Sequence, residues 1–255
     1  MHVLEVSSLS RYFGGVKAVD GVSFDVSRGR IVSIIGPNGA GKTTLFNCLT
    51  GVIKPTSGSI LFEGRDLASL PPHRITEAGV VRTFQNIRLF PEMSVLENVM
   101  VAQHTRHRYG LLSAVWRGTA FRSREQAIRD KALECLRFVG IDRYAGLMAG
   151  RLPYGSQRRL EIARGLAAEP KLVLLDEPTA GMNPTETSEV MSLIERVRVM
   201  GKTILLIEHD MRLVMGISDE IIVLDHGVKI AEGSPEEVRN NSLVIEAYLG
   251  REELH

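Results

Sequence analysis

Residues 31–49, IVSIIGPNGAGKTTLFNCL, leave this chain the fewest ways to fold. The stretch opens on an apolar, mostly β-branched run (Ile31, Val32, Ile34, Ile35), passes glycines at 36, 39 and 41, and becomes helix-forming from Lys42, Thr43 and Thr44. A buried strand, a tight loop and a helix must follow one another without a break, which is how an α/β unit begins. Gly36, Gly41, Lys42 and Thr43 fit the spacing G-x-x-x-x-G-K-[ST] in the strand-before, helix-after setting that the pattern requires. Glycine lets backbone wind closely around an anion. A loop made of Gly36, Pro37, Asn38, Gly39, Ala40 and Gly41 can therefore aim backbone N–H groups, together with the helix N-terminus at Lys42, Thr43 and Thr44, at phosphate groups. Lys42 adds a mobile positive charge for the outer phosphates, and the Thr43 hydroxyl suits Mg²⁺.

With 255 residues the chain can bury a sizeable core, and one large domain carrying an inserted subdomain fits that length better than two separate domains. Charged residues make up 24% and the formal net charge is +1, so bulk charge points to neither nucleic acid nor a membrane surface. Cys48 and Cys135 sit in apolar helical surroundings without C-x-x-C or metal spacing, and read as buried small hydrophobes of a reducing compartment. The opening MHVLEVSSLSRYF lacks a basic region followed by a long apolar stretch, and no later run approaches the ~18 apolar residues of a membrane helix. A soluble, cytoplasmic chain is expected.

Residues 3–9, 21–26 and 57–62 read as short strands of a β-rich front end. A helix is predicted from Pro71–Pro72 to about residue 78, and a strand over 80–84 ending at Gln85. Ser94 and Glu97 form a capping-box pattern. An amphipathic helix follows over 125–139, and another helix, rich in Arg and Ala, over 155–168. Residues 171–175 and 203–207 are short apolar runs bounded by breakers, the pattern of strands buried on both faces of a parallel sheet, with a helix over 184–199 between them. A short helix over 210–215, a hairpin around Asp225-His226-Gly227 and a capped helix from Ser234 complete an alternation that indicates α/β architecture.

Two local features stay open on residue chemistry alone. Tyr12 and Phe13 precede Gly14–Gly15, where a ring can fold back to stack on a base or pack as an ordinary aromatic. Between Asn98 and Arg124 there is no acidic residue, yet Arg106, Arg108, Arg117, Arg122 and Arg124 occur with His104, His107, Trp116 and Phe121. Such a segment suits lipid headgroups or a partner, or is a solvated face over a small hydrophobic contact. No Cys or carboxylate accompanies His104 and His107, so no metal site is expected there.

A phosphate loop needs an acidic residue at the end of a neighbouring strand to hold Mg²⁺ through water. Asp176 supplies it, and the adjacent Glu177 can polarise an attacking water. Ligand groups gather at the carboxyl ends of parallel strands, so His209, just after the strand at 203–207, is expected beside them near the terminal phosphate.

These separated motifs, in this order and over nearly the whole chain, resemble the ATP-binding subunits of ABC transporters. By that resemblance 36–43 is the Walker A loop, Gln85 the Q-loop glutamine (a ligand to nucleotide and metal), 152–158 the signature region, 172–177 the Walker B strand with catalytic Glu177, 180–183 the D-loop and His209 the switch histidine. Phe13 falls where the family's adenine-stacking aromatic sits. The fold implied is a P-loop ABC cassette of the α/β class: a mostly parallel core sheet, an antiparallel β subdomain, an inserted helical subdomain over about 98–165, and a helical end over about 234–255.

Finer text, including VRTFQNIRLF at 81–90, RRLEIAR at 158–164, IEHDM at 207–211 and EAYLG at 246–250, resembles the LivG-type subunit of branched-chain amino acid importers. That resemblance implies ATP and Mg²⁺ as cofactors, two membrane permeases, a second similar ATPase, indirectly an external solute-binding protein, and a place at the cytoplasmic face of the cell membrane; no nucleic acid is expected. A related urea, amide or lipid-related transporter, or a non-transport regulatory ATPase, is the alternative.

Two positions depart from the family pattern. Where L-S-G-G-Q is usual, this chain has Leu152-Pro153-Tyr154-Gly155-Ser156, and Pro153 has neither a hydroxyl nor a backbone N–H for a partner's phosphate. Gly155 and the helix N-terminus beside it remain as phosphate ligands, so a weakened site is expected rather than a dead one. Asn183 stands where many members carry Asp.

Overall fold

The structure, a computed structural model, describes residues 2–83, 87–103 and 119–249, with backbone only at 119–121 and 249. Gln85, His104, His107 and the basic stretch through Arg117 lie outside the described residues.

Three five-residue strands, β3 (Ile31–Ile35), β7 (Leu172–Asp176) and β8 (Thr203–Ile207), are buried at every position. Their apolar runs do not alternate because both faces of the sheet are covered. On β3, Val32 and Ile34 pack on one face with Leu45, Phe46 and Leu49, whereas Ile31 and Ile35 face helices on the other. The two hydroxyl-bearing residues of these strands are satisfied: Ser33 Oγ lies 2.6 Å from Ser218 Oγ, and Thr203 Oγ1 accepts from Gly29 N–H at 3.0 Å.

With β6 (Val80–Arg82), β9 (Glu220–Asp225) and β10 (Val228–Gly233), these strands form a six-stranded sheet in the order β10-β9-β3-β8-β7-β6. All pairs are parallel except β9–β10. A second, antiparallel sheet has the order β2-β1-β4-β5, from β1 (His2–Phe13), β2 (Val16–Ser27), β4 (Ser57–Phe62) and β5 (Arg65–Asp66). Strands β1 and β2 run further than their sequence signals because register shifts, with Ser8 at φ 46°, let polar residues continue the ladder without reversing the faces.

Helices α1 (Lys42–Leu49) and α2 (Pro72–Ala78) follow β3 and β5. Among the described residues every element between β6 and β7 is helical: α3 (Val95–Ala102), α4 (Thr119–Val139), two 3-10 turns and α5 (Tyr154–Ala167). Ser94 and Glu97 cap α3 reciprocally, as their spacing predicts. α6 (Pro184–Val199) and α7 (Met211–Ile217) flank β8, and α8 (Pro235–Arg239) and α9 (Ser242–Leu249) end the described chain. The predicted strand over 80–84 stops at Arg82; Thr83 N–H still donates to Leu174 O at 2.9 Å. This sheet delivers the β3–α1 loop, Asp176, Glu177 and His209 to its carboxyl end.

Candidate functional site

The loop from Ile35 to Lys42 is wedged between two pieces of backbone, and that decides where glycine is obligatory. A Cβ on Gly36 would stand 2.0 Å from Leu224 O, and one on Gly41 would stand 2.2 Å from Ala18 O. Gly41 is also the N-cap of α1, at φ 100°. No side chain caps α1 and its first turn holds no acidic residue, so its N–H groups and positive dipole end are open to an anion. Lys42 is buried, and its ammonium donates to Gly36 O at 2.6 Å and Pro37 O at 2.9 Å. Asn38, Gly39, Ala40, Gly41, Lys42, Thr43 and Thr44 line a cleft of about 450 Å³, closed by Val16, Lys17, Ala18, Glu177 and His226.

Asp176 ends β7 in register with Ile207 of β8. Its carboxylate is buried against Arg82 at 2.6 Å. Glu177 follows in the left-handed region at φ 47°, which costs a residue with a Cβ on the order of 1 kcal/mol or more. Its N–H donates to Ile207 O at 2.9 Å, so sheet pairing holds the strained residue and turns its carboxylate into the cleft. The His209 ring is exposed, with Nδ1 3.9 Å from Glu177 Oε1 and 3.9 Å from Glu208 Oε2. Glu208 is 1% exposed and accepts from both the N–H and the hydroxyl of Thr179, anchoring the turn after Glu177.

The structure therefore brings together the 36–44 loop, Asp176, Glu177 and His209. Phe13 stands at the end of β1 with its ring 44% exposed and the Arg11 guanidinium 4.4 Å from its centroid. It does not itself line the cleft, although Val16 and Lys17 across its hairpin do. Gly155 lies elsewhere, in the first turn of α5, lining a separate cleft of about 310 Å³ with Pro153, Ser156, Arg159, Glu186 and Glu189.

Sequence reasoning missed Arg82, Thr179, Glu208 and His226. The only signal for Arg82 and Glu208 was a charged residue next to an apolar strand, which a solvated strand end shows equally. Among the described residues no group of three His, Cys, Asp or Glu side chains is disposed to hold a metal. The Thr43 hydroxyl and the Asp176 carboxylate are oxygen donors of the kind Mg²⁺ takes, one or two from protein with phosphate and water filling its shell. Burial pushes the thiols of Cys48 and Cys135 up to about 11, in keeping with small core side chains and no chemistry.

Comparison with known proteins agrees with this geometry. A family profile described as ABC transporter matches residues 19–180, and one described as branched-chain amino acid ATP-binding cassette transporter matches residues 228–253. The high-affinity branched-chain amino acid transport ATP-binding protein LivG of Salmonella typhimurium is 52% identical over 97% of this chain and 98% of its own length. A crystal structure of an ABC-transporter cassette in its ADP conformation superposes with a TM-score of 0.85 at 34% identity, covering 98% of this chain and 99% of that one. A dimeric cassette in a post-hydrolysis state, bound to ADP and Pi, gives 0.76 at 26% identity, covering 91% and 98%. The chain therefore belongs to the ABC transporter family, as an ATP-binding cassette of its branched-chain amino acid transport branch.

Proposed function

We infer that this chain binds and hydrolyses ATP and that hydrolysis drives import of branched-chain amino acids, the transport named for its relatives. The observation that carries the reading is one cleft holding the open N-terminus of α1, the Lys42 ammonium and the Glu177 carboxylate.

Phosphate oxygens would take hydrogen bonds from the loop backbone and the first turn of α1, and Lys42 would exchange the Gly36 and Pro37 carbonyls for the outer phosphates. Phe13, exposed on one hairpin with cleft-lining residues, would stack on the base. Thr43 and Asp176, with Gln85, would hold Mg²⁺, which supplies charge neutralisation on the phosphates when bound. Glu177 would orient the attacking water and accept its proton, and His209 beside it would donate to the phosphoryl group as charge develops.

Gly155 does not reach this chain's own loop, which supports a pairing in which the first turn of α5 serves the nucleotide of a second, similar ATPase. The dimeric form of a similar cassette supports the same pairing. Among the described residues no helix is long and apolar enough to cross a membrane. The path for solute would therefore belong to two permeases, reached from the cytoplasmic face, with an external solute-binding protein delivering the amino acid.

Phosphate release by the purified chain, and ATP-dependent uptake of labelled leucine into vesicles holding the assembled complex, test the reading. Absence of phosphate release would sink all of it, and hydrolysis without leucine uptake would sink the substrate assignment alone.

A further inference from the structure

Arg82, the buried partner of Asp176, has no part in the chemistry described so far. Side-chain exposure is 5% for Arg82 and 3% for Asp176, and one guanidinium nitrogen donates to Asp176 Oδ2 at 2.6 Å. The other donates to Asn47 Oδ1 at 2.7 Å and reaches Thr50 Oγ1 at 3.4 Å, with the guanidinium 5.5 Å from the Phe46 ring centroid. Phe46 and Asn47 belong to α1 and Thr50 is its C-cap, so one side chain ties the helix of the phosphate loop to the carboxylate at the end of β7. Only a planar fork makes both connections at once. Arg82 is also the last residue of β6, three positions before Gln85.

We propose that Arg82 is the resident counter-cation of the Asp176 carboxylate, which a divalent cation arriving with nucleotide must share or displace. The proposal rests on reading Asp176 as the metal-side carboxylate. Before nucleotide binds, Arg82 compensates a charge that would otherwise be buried alone. When the cation arrives, two positive groups compete for one carboxylate where little solvent screens them. The guanidinium therefore tempers metal affinity, and the repulsion acts on the end of β6. A purely structural arginine predicts the opposite: its loss would let Asp176 drift and weaken metal binding.

The sign of the change separates the two roles. Binding of a non-hydrolysable ATP analogue is measured in EDTA and in excess Mg²⁺, and the ratio of the two dissociation constants gives the advantage conferred by the metal. In Arg82→Met that advantage should rise by about tenfold over the wild-type chain. Arg82→Lys keeps a positive charge but loses the fork, and should raise it by about threefold; this variant decides the matter alone if Arg82→Met does not fold. An unchanged or smaller advantage in the folded variants overturns the proposal. Asp176→Asn serves as the separate control: if it leaves the advantage at the wild-type value, Asp176 does not face the metal, and the site reading falls with the proposal.

Discussion

The phenol of Tyr154 donates to the backbone carbonyl of Ala180 at 3.0 Å, joining the first turn of α5 to the turn after β7. Ala180 N–H donates in turn to Glu177 O at 3.2 Å, so two hydrogen bonds separate the first turn of α5 from Glu177. Tyr154→Phe keeps the ring and removes the link. The expected outcome is a loss of about 1 kcal/mol in denaturant stability. Turnover at saturating ATP should fall roughly threefold with KM nearly constant, because the loss acts on positioning and not on nucleotide binding.

Pro153 is the N-cap of α5, in the extended conformation that a capping residue adopts (φ −55°, ψ 150°), yet it offers the helix no side-chain bond. Pro153→Ser should add the missing cap, raising stability by about 1 kcal/mol. On the proposed pairing it would also supply a hydroxyl where a partner's phosphate would lie. In a heterodimer assembled with a second, similar ATPase, single-turnover hydrolysis should then speed up at the site this chain would complete, and an unchanged rate would show that Pro153 does not limit it.

Glu177→Gln keeps the shape of the side chain but not its basicity. Turnover should drop by about 10³-fold while ATP affinity is retained. The ATP-loaded variant should elute as a stable dimer in size-exclusion chromatography. Unimpaired turnover would remove Glu177 from its role.

Gly41→Ala tests the wedge around the loop. Its Cβ would stand 2.2 Å from the Ala18 carbonyl oxygen, a backbone atom that cannot swing aside, at a φ of 100° that L residues rarely adopt. Strain and overpacking together should cost roughly 2–5 kcal/mol, read by chemical denaturation. ATP binding should be lost even where the variant still folds at low temperature.

The buried thiols give a pH prediction with a definite sign. Burial raises Cys48 and Cys135 from 9.0 to about 11, so the native chain holds both protons more tightly than the unfolded chain does. Their contribution to stability is complete below about pH 9 and is lost as the pH climbs through about 11. Denaturation midpoints measured between pH 8 and 11.5 should fall across that window. At pH 8 the native thiols should react with a thiol reagent far more slowly than the unfolded ones.

Much of this architecture is local information. The loop at 36–43, the capping boxes at Ser94–Glu97 and Asn183–Glu186, and the five-residue strands β7 and β8 are each specified within a few neighbouring residues. Hydrophobic period and turn chemistry act over that range, and strand-end placement of Asp176, Glu177 and His209 followed from the parallel sheet alone. The family was legible only as a resemblance of these motifs, in this order, to known cassettes. What the chain order cannot show is which distant groups share a buried charge or a hydrogen bond. Arg82 meets Asp176 and Asn47 only because β6 pairs with β7 beside α1, and Tyr154 meets Ala180 only because α5 folds back on the turn after β7. The φ of 47° at Glu177 is decided in the same way, by the Ile207 carbonyl of a neighbouring strand. Such contacts join residues far apart in sequence, and desolvation makes them strong only after the sheet has closed around them.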